Sequence, residues 1–471
     1  MSGHAKGRPF WGVVGEARRC SGVSVAAVIA LMLASGPTRA DDAQQQVIQK
    51  MQQQIQDLQK KLDDLIAAQK ATDAAVQKQQ PAKGSTQVVN GSDKVKLTVS
   101  GQIDRGLLVF DDSHQTNLFH VDNDISSTRL RFIGEVVPDD DLKLNANLEF
   151  DLRSNSSSNI DQTQRNSGFI PANGSDTAIR IRRASVSLTS KTFGKFTIGQ
   201  DSVATDGVGE YDLSGTYLTQ ESDVQKLGGA MFFSPGDHLG TRRRMNQIFA
   251  NFDGGRDDEI RYDTPTFYGF NLQASLAQGS GPGAPNQTGA LQDSTGRFEV
   301  ALHYKDEIEG TKIEAGVGYQ DRKGLNPKNP AAGAVFENFD SEVVGSASVL
   351  FPFGLSATVA AGERQMQNND RNDPFTYYAK LGYQTPDPWF SFGKTAFSVE
   401  WGEDWDLTVD GDHGQVFGVA MVQNIDKWGM ELFAAYRHFW VHEGTGTGAA
   451  AFPAEDVGDA NLFFTGTRVK F

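Results

Sequence analysis

The stretch LKLNANLEFDL, residues 142–152, alternates without a slip. Leu142, Leu144, Ala146, Leu148 and Phe150 share one parity, and Lys143, Asn145, Asn147, Glu149 and Asp151 share the other. Side chains of a strand alternate faces with period two, so this segment separates an apolar medium from a hydrated one. The pattern returns repeatedly from residue 94 onward. TRLRFIGE sets Leu130 and Phe132 opposite Arg129 and Arg131, and GFNLQASLAQG sets Phe270, Leu272, Ala274 and Leu276 opposite Asn271, Gln273 and Ser275. KTAFSVEWGE sets Phe397, Val399 and Trp401 opposite Lys394, Ser398 and Glu400, whereas WGMELFAAYRHFW and NLFFTGTRVKF keep the alternation less cleanly. Two architectures suit such strands: a sheet on a protein core with one wet face, or a closed barrel with lipid outside and water inside.

The connectors favour the barrel. Short ones at 137–141, 190–195, 264–269 and 351–354 alternate with long polar ones at 154–176, 279–295 and 322–340. Turns at one rim and loops at the other give this rhythm, and residues 92–471 supply about 24 residues for each of about 16 strands. The alternative is 18 strands, if NQIFANFD (246–253) is itself a strand. Tyr304, Tyr319, Tyr383, Trp401, Trp428 and Trp440 stand near segment ends, where interfacial girdles belong. A soluble sandwich rarely repeats the pattern this often without core strands apolar on both faces, and here the polar row carries Lys, Arg, Glu and Asn as a hydrated lumen would. The fold expected is all-β, a transmembrane antiparallel β-barrel over residues 94–471.

Composition supports that choice. Beyond the N-terminus no run reaches the roughly 18 apolar residues of a spanning helix, and only helices and closed barrels satisfy their own backbone in lipid. The formal charge of -15 argues against nucleic acid as a partner. Residues 1–40 read as an export signal, with Arg18 and Arg19 before VSVAAVIALML and a small-residue site ending at Ala40. The sole cysteine, Cys20, falls within it, so the exported chain would draw its stability from a large cooperative sheet or from assembly.

Residues 41–80 carry a second, helical period. Ile48, Met51, Ile55, Leu58, Leu62 and Leu65 step by three and four, which makes a narrow a/d seam and predicts a short coiled coil. Pro81 and Gly84 stop that helix, and residues 81–93 read as a linker.

Three features together resemble the Gram-negative trimeric porins. IRIRRASVSLTSKTFGKFTIGQD (179–201) resembles the family's Arg-rich strand, tight turn and following strand, although Gln200 stands where an arginine often sits. EIRYDTPTFYGFNLQASLAQG (259–279) resembles a characteristic hairpin, and Phe471 resembles the terminal aromatic read by the barrel assembly machinery. The coiled coil matches only a subset of the family, in which it would lie in the periplasm. The resemblance implies a homotrimer in the outer membrane of a Gram-negative bacterium, in contact with lipid and lipopolysaccharide. Its function would be passive diffusion of small hydrophilic solutes.

It also implies that residues 202–257 fold into the barrel as a constriction loop. That segment carries Asp206, Glu210 and Asp212, then Arg242, Arg243 and Arg244, while Arg129, Arg131, Arg182 and Arg183 lie on strands before it, with parity shifting near Arg182. Opposed charges across a narrow aperture filter solutes by charge, and the concentration of arginines gives an anionic lean. The bland reading is that these are ordinary hydrated lumen charges.

No cofactor, metal site or catalytic residue is expected. HExxH, GxSxG and P-loop patterns are missing, and DGGRDDE (253–259) lacks EF-hand spacing and reads as a solvated turn. The competing function is an envelope tether, in which the coiled coil binds peptidoglycan or a partner and the barrel is only an anchor.

Overall fold

The computed structural model describes residues 86–89, 95–163, 179–233, 243–277, 297–321, 339–366, 371–444 and 455–471. The export signal, the heptad seam from Ile48 to Leu65 and Arg242 lie outside them.

The sheet begins with β1 (Thr86–Val89), β2 (Val95–Asp111), β3 (Thr116–Asp122) and β4 (Arg129–Val136). Next come β5 (Leu142–Leu152), β6 (Ile179–Ser190), β7 (Gly194–Ser202), β8 (Arg256–Asp263) and β9 (Phe270–Ala277). After them run β10 (Arg297–Ile308), β11 (Thr311–Asp321), β12 (Phe339–Leu350), β13 (Leu355–Met366) and β14 (Phe375–Gln384). The last four are β15 (Thr395–Trp405), β16 (His413–Ile425), β17 (Met430–Glu443) and β18 (Glu455–Lys470).

Successive strands pair antiparallel, except that β3 and β4 both pair with β2, and β18 closes on β2 from Asn461↔Asp111 to Lys470↔Gln102. Two pairs of strands each form a single stave. β3 and β4 lie on the same edge of β2, against Arg105–Asp111 and Val95–Gln102 respectively, interrupted at 123–128. β1 pairs with Lys96–Val99, just below the end of β18, and so continues that stave. The eighteen strands therefore make a closed barrel of sixteen staves. NQIFANFD forms no strand: Met245–Gln247 is a single 3-10 turn, and the chain is irregular until Arg256. The expected linker, 81–93, contributes β1.

Alternation assigns the two faces. Leu144, Leu148, Val186, Leu188, Ile198, Leu272 and Val359 are exposed, while their opposite-parity neighbours are buried or face the interior. At the short-connector rim Phe193, Phe267, Tyr268, Phe353, Trp389 and Trp428 are exposed, an aromatic girdle at a membrane interface. The tightest turn there has Glu309 and Gly310 both at positive φ, 51° and 79°, as a two-residue hairpin with right-handed strand twist requires.

Strands apolar on both faces do occur: on β16, β17, β18 and β2 the inward residues Val416, Phe433, Phe439, Leu462, Phe464, Leu108 and Phe110 are wholly buried or nearly so. They pack against Leu218, Val224, Leu227, Met231, Phe233, Met245, Ile248 and Phe249 of the segment between β7 and β8. That loop lies inside the barrel and gives this wall a dry inner face. This is why the alternation blurs in WGMELFAAYRHFW and NLFFTGTRVKF.

Candidate functional site

The interior charges are set out by strand register. β4 points Arg129 and Arg131 inward, and β5 brings Asp151 and Glu149 directly beside them. Across β5, Glu149 pairs with Arg183 but Phe150 pairs with Ile181, so Arg182 is the extra residue of a β-bulge. A bulge re-aims a side chain. Here it swings Arg182 into the lumen, although its neighbour Arg183 already points there.

Glu149 is fully buried at the centre of the resulting cluster. Arg182 Nε donates to its Oε1 at 2.8 Å, Arg131 donates to its Oε2, and Arg129 Nη1 stands 3.7 Å from Oε1. Three guanidinium groups thus surround one carboxylate, and they remain partly open to the lumen (Arg131 34 % exposed, Arg129 20 %). Beside them Arg183 pairs with Asp201 at 3.1 Å and donates to Ser202 Oγ at 3.0 Å, while Asp151 accepts from Arg153 at 2.8 Å and Arg180 at 3.1 Å.

The loop, residues 203–255 between β7 and β8, supplies the other charge. Asp206 pairs with Arg256 at 3.3 Å, and Arg256 is within electrostatic reach of Glu149 on one side and Glu210 on the other. Lys226 gathers three loop carboxylates: Glu210 at 2.5 Å, Glu221 at 3.0 Å and Asp223 at 3.8 Å. One ammonium cannot balance all three. Burial pushes the Glu221 carboxyl up to about 8 and raises Asp223, whereas Glu210, although burial opposes its charge, is held below the ordinary range by Lys226.

Asp212 turns away from the arginines. It pairs with Lys380 on β14, whose Nζ also donates to the Gln220 carbonyl at 2.7 Å. Deeper in the same wall Arg437 grips Glu400 and donates to the Val224 carbonyl at 3.0 Å, while Tyr378 donates to Glu400 at 2.7 Å. Small inward residues let the loop approach: Tyr211 and Leu213 N–H groups donate to Ser346 and Ser348 Oγ at 3.0 and 2.9 Å. A Cβ on Gly316 would lie 2.8 Å from the Tyr211 ring.

Of the residues singled out from the sequence, Arg129, Arg131 and Arg182 meet at one point, with Arg183 next to them and Asp206 and Glu210 on the facing loop. Arg243 and Arg244 do not join them. Arg243 lies 3.6 Å from Asp412, and Arg244 lies 3.4 Å from Asp161 and stacks over the Phe232 ring at 4.4 Å, so both fasten the loop's return to other loops. DGGRDDE is no solvated turn: Asp253 accepts the Gly207 and Gly209 N–H groups at 2.7 Å each, and Arg256 onward is β8. No cluster of three or more metal-ligating side chains occurs among the described residues.

Sequence reasoning did not single out Glu149, Arg256, Lys226, Lys380, Glu400 or Arg437 as site residues. A signal existed for two of them. Lys380 and Arg437 stand as single charges within apolar or small runs of their strands, which marks a buried partner rather than a wet surface.

A family model described as Gram-negative porin matches residues 27–440. An anion-selective porin from Comamonas acidovorans is similar in structure, with a TM-score of 0.51 at 19 % identity, covering 80 % of this chain and 100 % of that one. OmpT, an outer membrane protein of Vibrio cholerae, is similar with a TM-score of 0.50 at 16 % identity, covering 81 % of this chain and 99 % of that one. No curated protein matches the sequence.

Proposed function

The chain belongs to the Gram-negative porin family, and from that premise we propose an outer-membrane diffusion channel whose aperture favours small hydrophilic anions. The family supplies the channel and its place in the outer membrane. The anionic preference is the finer reading, and one observation carries it: three partly exposed arginines share the buried carboxylate of Glu149. The loop's acids are largely spent on Lys226, Lys380 and Arg256. Charged rings at a constriction tune selectivity in this way. The anion selectivity of the Comamonas protein of the same fold is consistent with this reading.

The working assembly is a homotrimer, with residues 41–80 as a periplasmic coiled coil and lipid and lipopolysaccharide around the apolar face. Phe471 would present the signal to the barrel assembly machinery. A tether role is not favoured, and the reading assigns no catalytic step.

The test is the reversal potential of the detergent-purified protein in a planar bilayer under a salt gradient. A potential of the sign set by chloride supports the reading. A cation-selective potential overturns it.

A further inference from the structure

Glu149 occupies its arginine cluster much as a bound solute would. Both of its oxygens are engaged, Oε1 by Arg182 and Arg129 and Oε2 by Arg131, and no part of it is exposed. The cluster is deliberately crowded: only the bulge opposite Glu149 and Phe150 brings Arg182 to the same carboxylate that register already gives to Arg131. A cluster of three guanidiniums without an internal counter-charge would hold a divalent anion tightly. A channel needs the opposite, since conduction requires binding weak enough for the solute to leave.

We infer that Glu149 is a resident carboxylate that competes with permeating oxyanions for the three guanidiniums, so that carboxylate- and sulfate-like solutes are passed on rather than trapped. The inference rests on the anionic reading of the aperture. It assigns to Glu149 a role in throughput that a merely structural carboxylate would not have. Neutralising it leaves Arg131, Arg182 and the Nη1 of Arg129 in place and frees them for solute, while Nε and Nη2 of Arg129 stay on the Ser127 carbonyl and Ser126 Oγ. The ligand class is a small oxyanion, carboxylate- or sulfate-like, because two guanidinium-binding oxygens are what Glu149 itself presents.

The experiment measures block of the chloride current by sodium sulfate in planar bilayers, with the full chain and its Glu149→Gln variant. The expected result is a half-blocking sulfate concentration about tenfold lower in the variant, as removal of one neighbouring charge at a partly wetted site predicts, together with a shift of the reversal potential toward chloride. An unchanged or higher half-blocking concentration overturns the inference. Heat-resistant migration on a detergent gel identifies folded variant. If E149Q does not fold, Glu149→Asp, which keeps the charge but withdraws it by one methylene, is measured instead: tighter block than wild type supports the inference, and equal or weaker block overturns it. A cation-selective wild type defeats the anionic reading before any variant is compared. An anion-selective wild type with unaltered sulfate block in E149Q defeats the resident carboxylate alone.

Discussion

Arg437 and Glu400 face each other across β16 with neither side chain exposed, joined by Nε and Nη2 of the arginine at 2.6 and 3.2 Å. The third guanidinium nitrogen, Nη1, holds the Val224 carbonyl of the loop. This pair fastens the loop to the barrel wall. Leaving either charge buried alone is costly, about 3–5 kcal/mol for a broken buried pair. Arg437→Leu is therefore expected to lower the unfolding temperature of the barrel and to widen the spread of single-channel conductances. Replacing both residues, as Glu400→Gln with Arg437→Gln, should recover part of the stability. Thermal denaturation followed by circular dichroism checks the first claim, and bilayer recordings check the second.

The C-terminus depends on a residue with no side chain. Gly101 exchanges both backbone hydrogen bonds with Phe471, at 2.8 and 3.0 Å, and a Cβ on Gly101 would lie 2.7 Å from the Phe471 ring. Gly101→Val should force the ring aside at a cost of about 1–3 kcal/mol, as overpacking does. The measurable result is a smaller heat-resistant fraction on detergent gels, while Gly255→Ala, where open space surrounds the site, leaves that fraction unchanged.

Alkaline pH should loosen the loop. The Glu221 carboxyl is raised from 4.5 to about 8 by burial, with Lys226 pulling it down and Glu210 and Asp223 pushing it up. A raised acid binds its proton more readily in the folded loop than in the released one. Its stabilising contribution is thus complete below about 4.5, declines as pH rises, and is lost above about 8. Current fluctuations and protease cleavage within residues 203–255 are expected to increase between pH 6 and pH 9 in the wild type. Glu221→Gln, which stays neutral, should flatten that dependence.

Selectivity should map to one arginine group and not the other. Arg131→Gln removes a guanidinium that faces the lumen beside Glu149, and it is expected to reduce the chloride-to-sodium permeability ratio several-fold. Arg244→Gln removes a cation that sits on Phe232 and Asp161 at the loop's return. Its reversal potential should match the wild type. Equal shifts from the two variants would place the aperture elsewhere.

The barrel was legible because its cause is local. Lipid on one side and water on the other impose period two on every wall strand that meets both, and LKLNANLEFDL records this in eleven residues, which β5 spans from Leu142 to Leu152. The parity shift near Arg182 was legible for the same reason and proved to be the bulge. The places where alternation fails were harder to read. The inward phenylalanines of β17 and β18 look like lapses until the loop that covers them is in view.

What the sequence by itself determined, then, is the closed sheet, the approximate number of staves and the connector rhythm, while the inward loop was an implication of the family resemblance. Which charges meet was decided only by the tertiary structure. Glu149 finds Arg131 through the register of β4 against β5, finds Arg182 through a bulge, and is brought opposite Glu210 by a loop anchored on β14 and β17. Each of these contacts joins residues distant along the chain. Hydrophobic periodicity says which face a side chain takes, but not which neighbour stands beside it, because register and loop docking are set by the whole closed sheet.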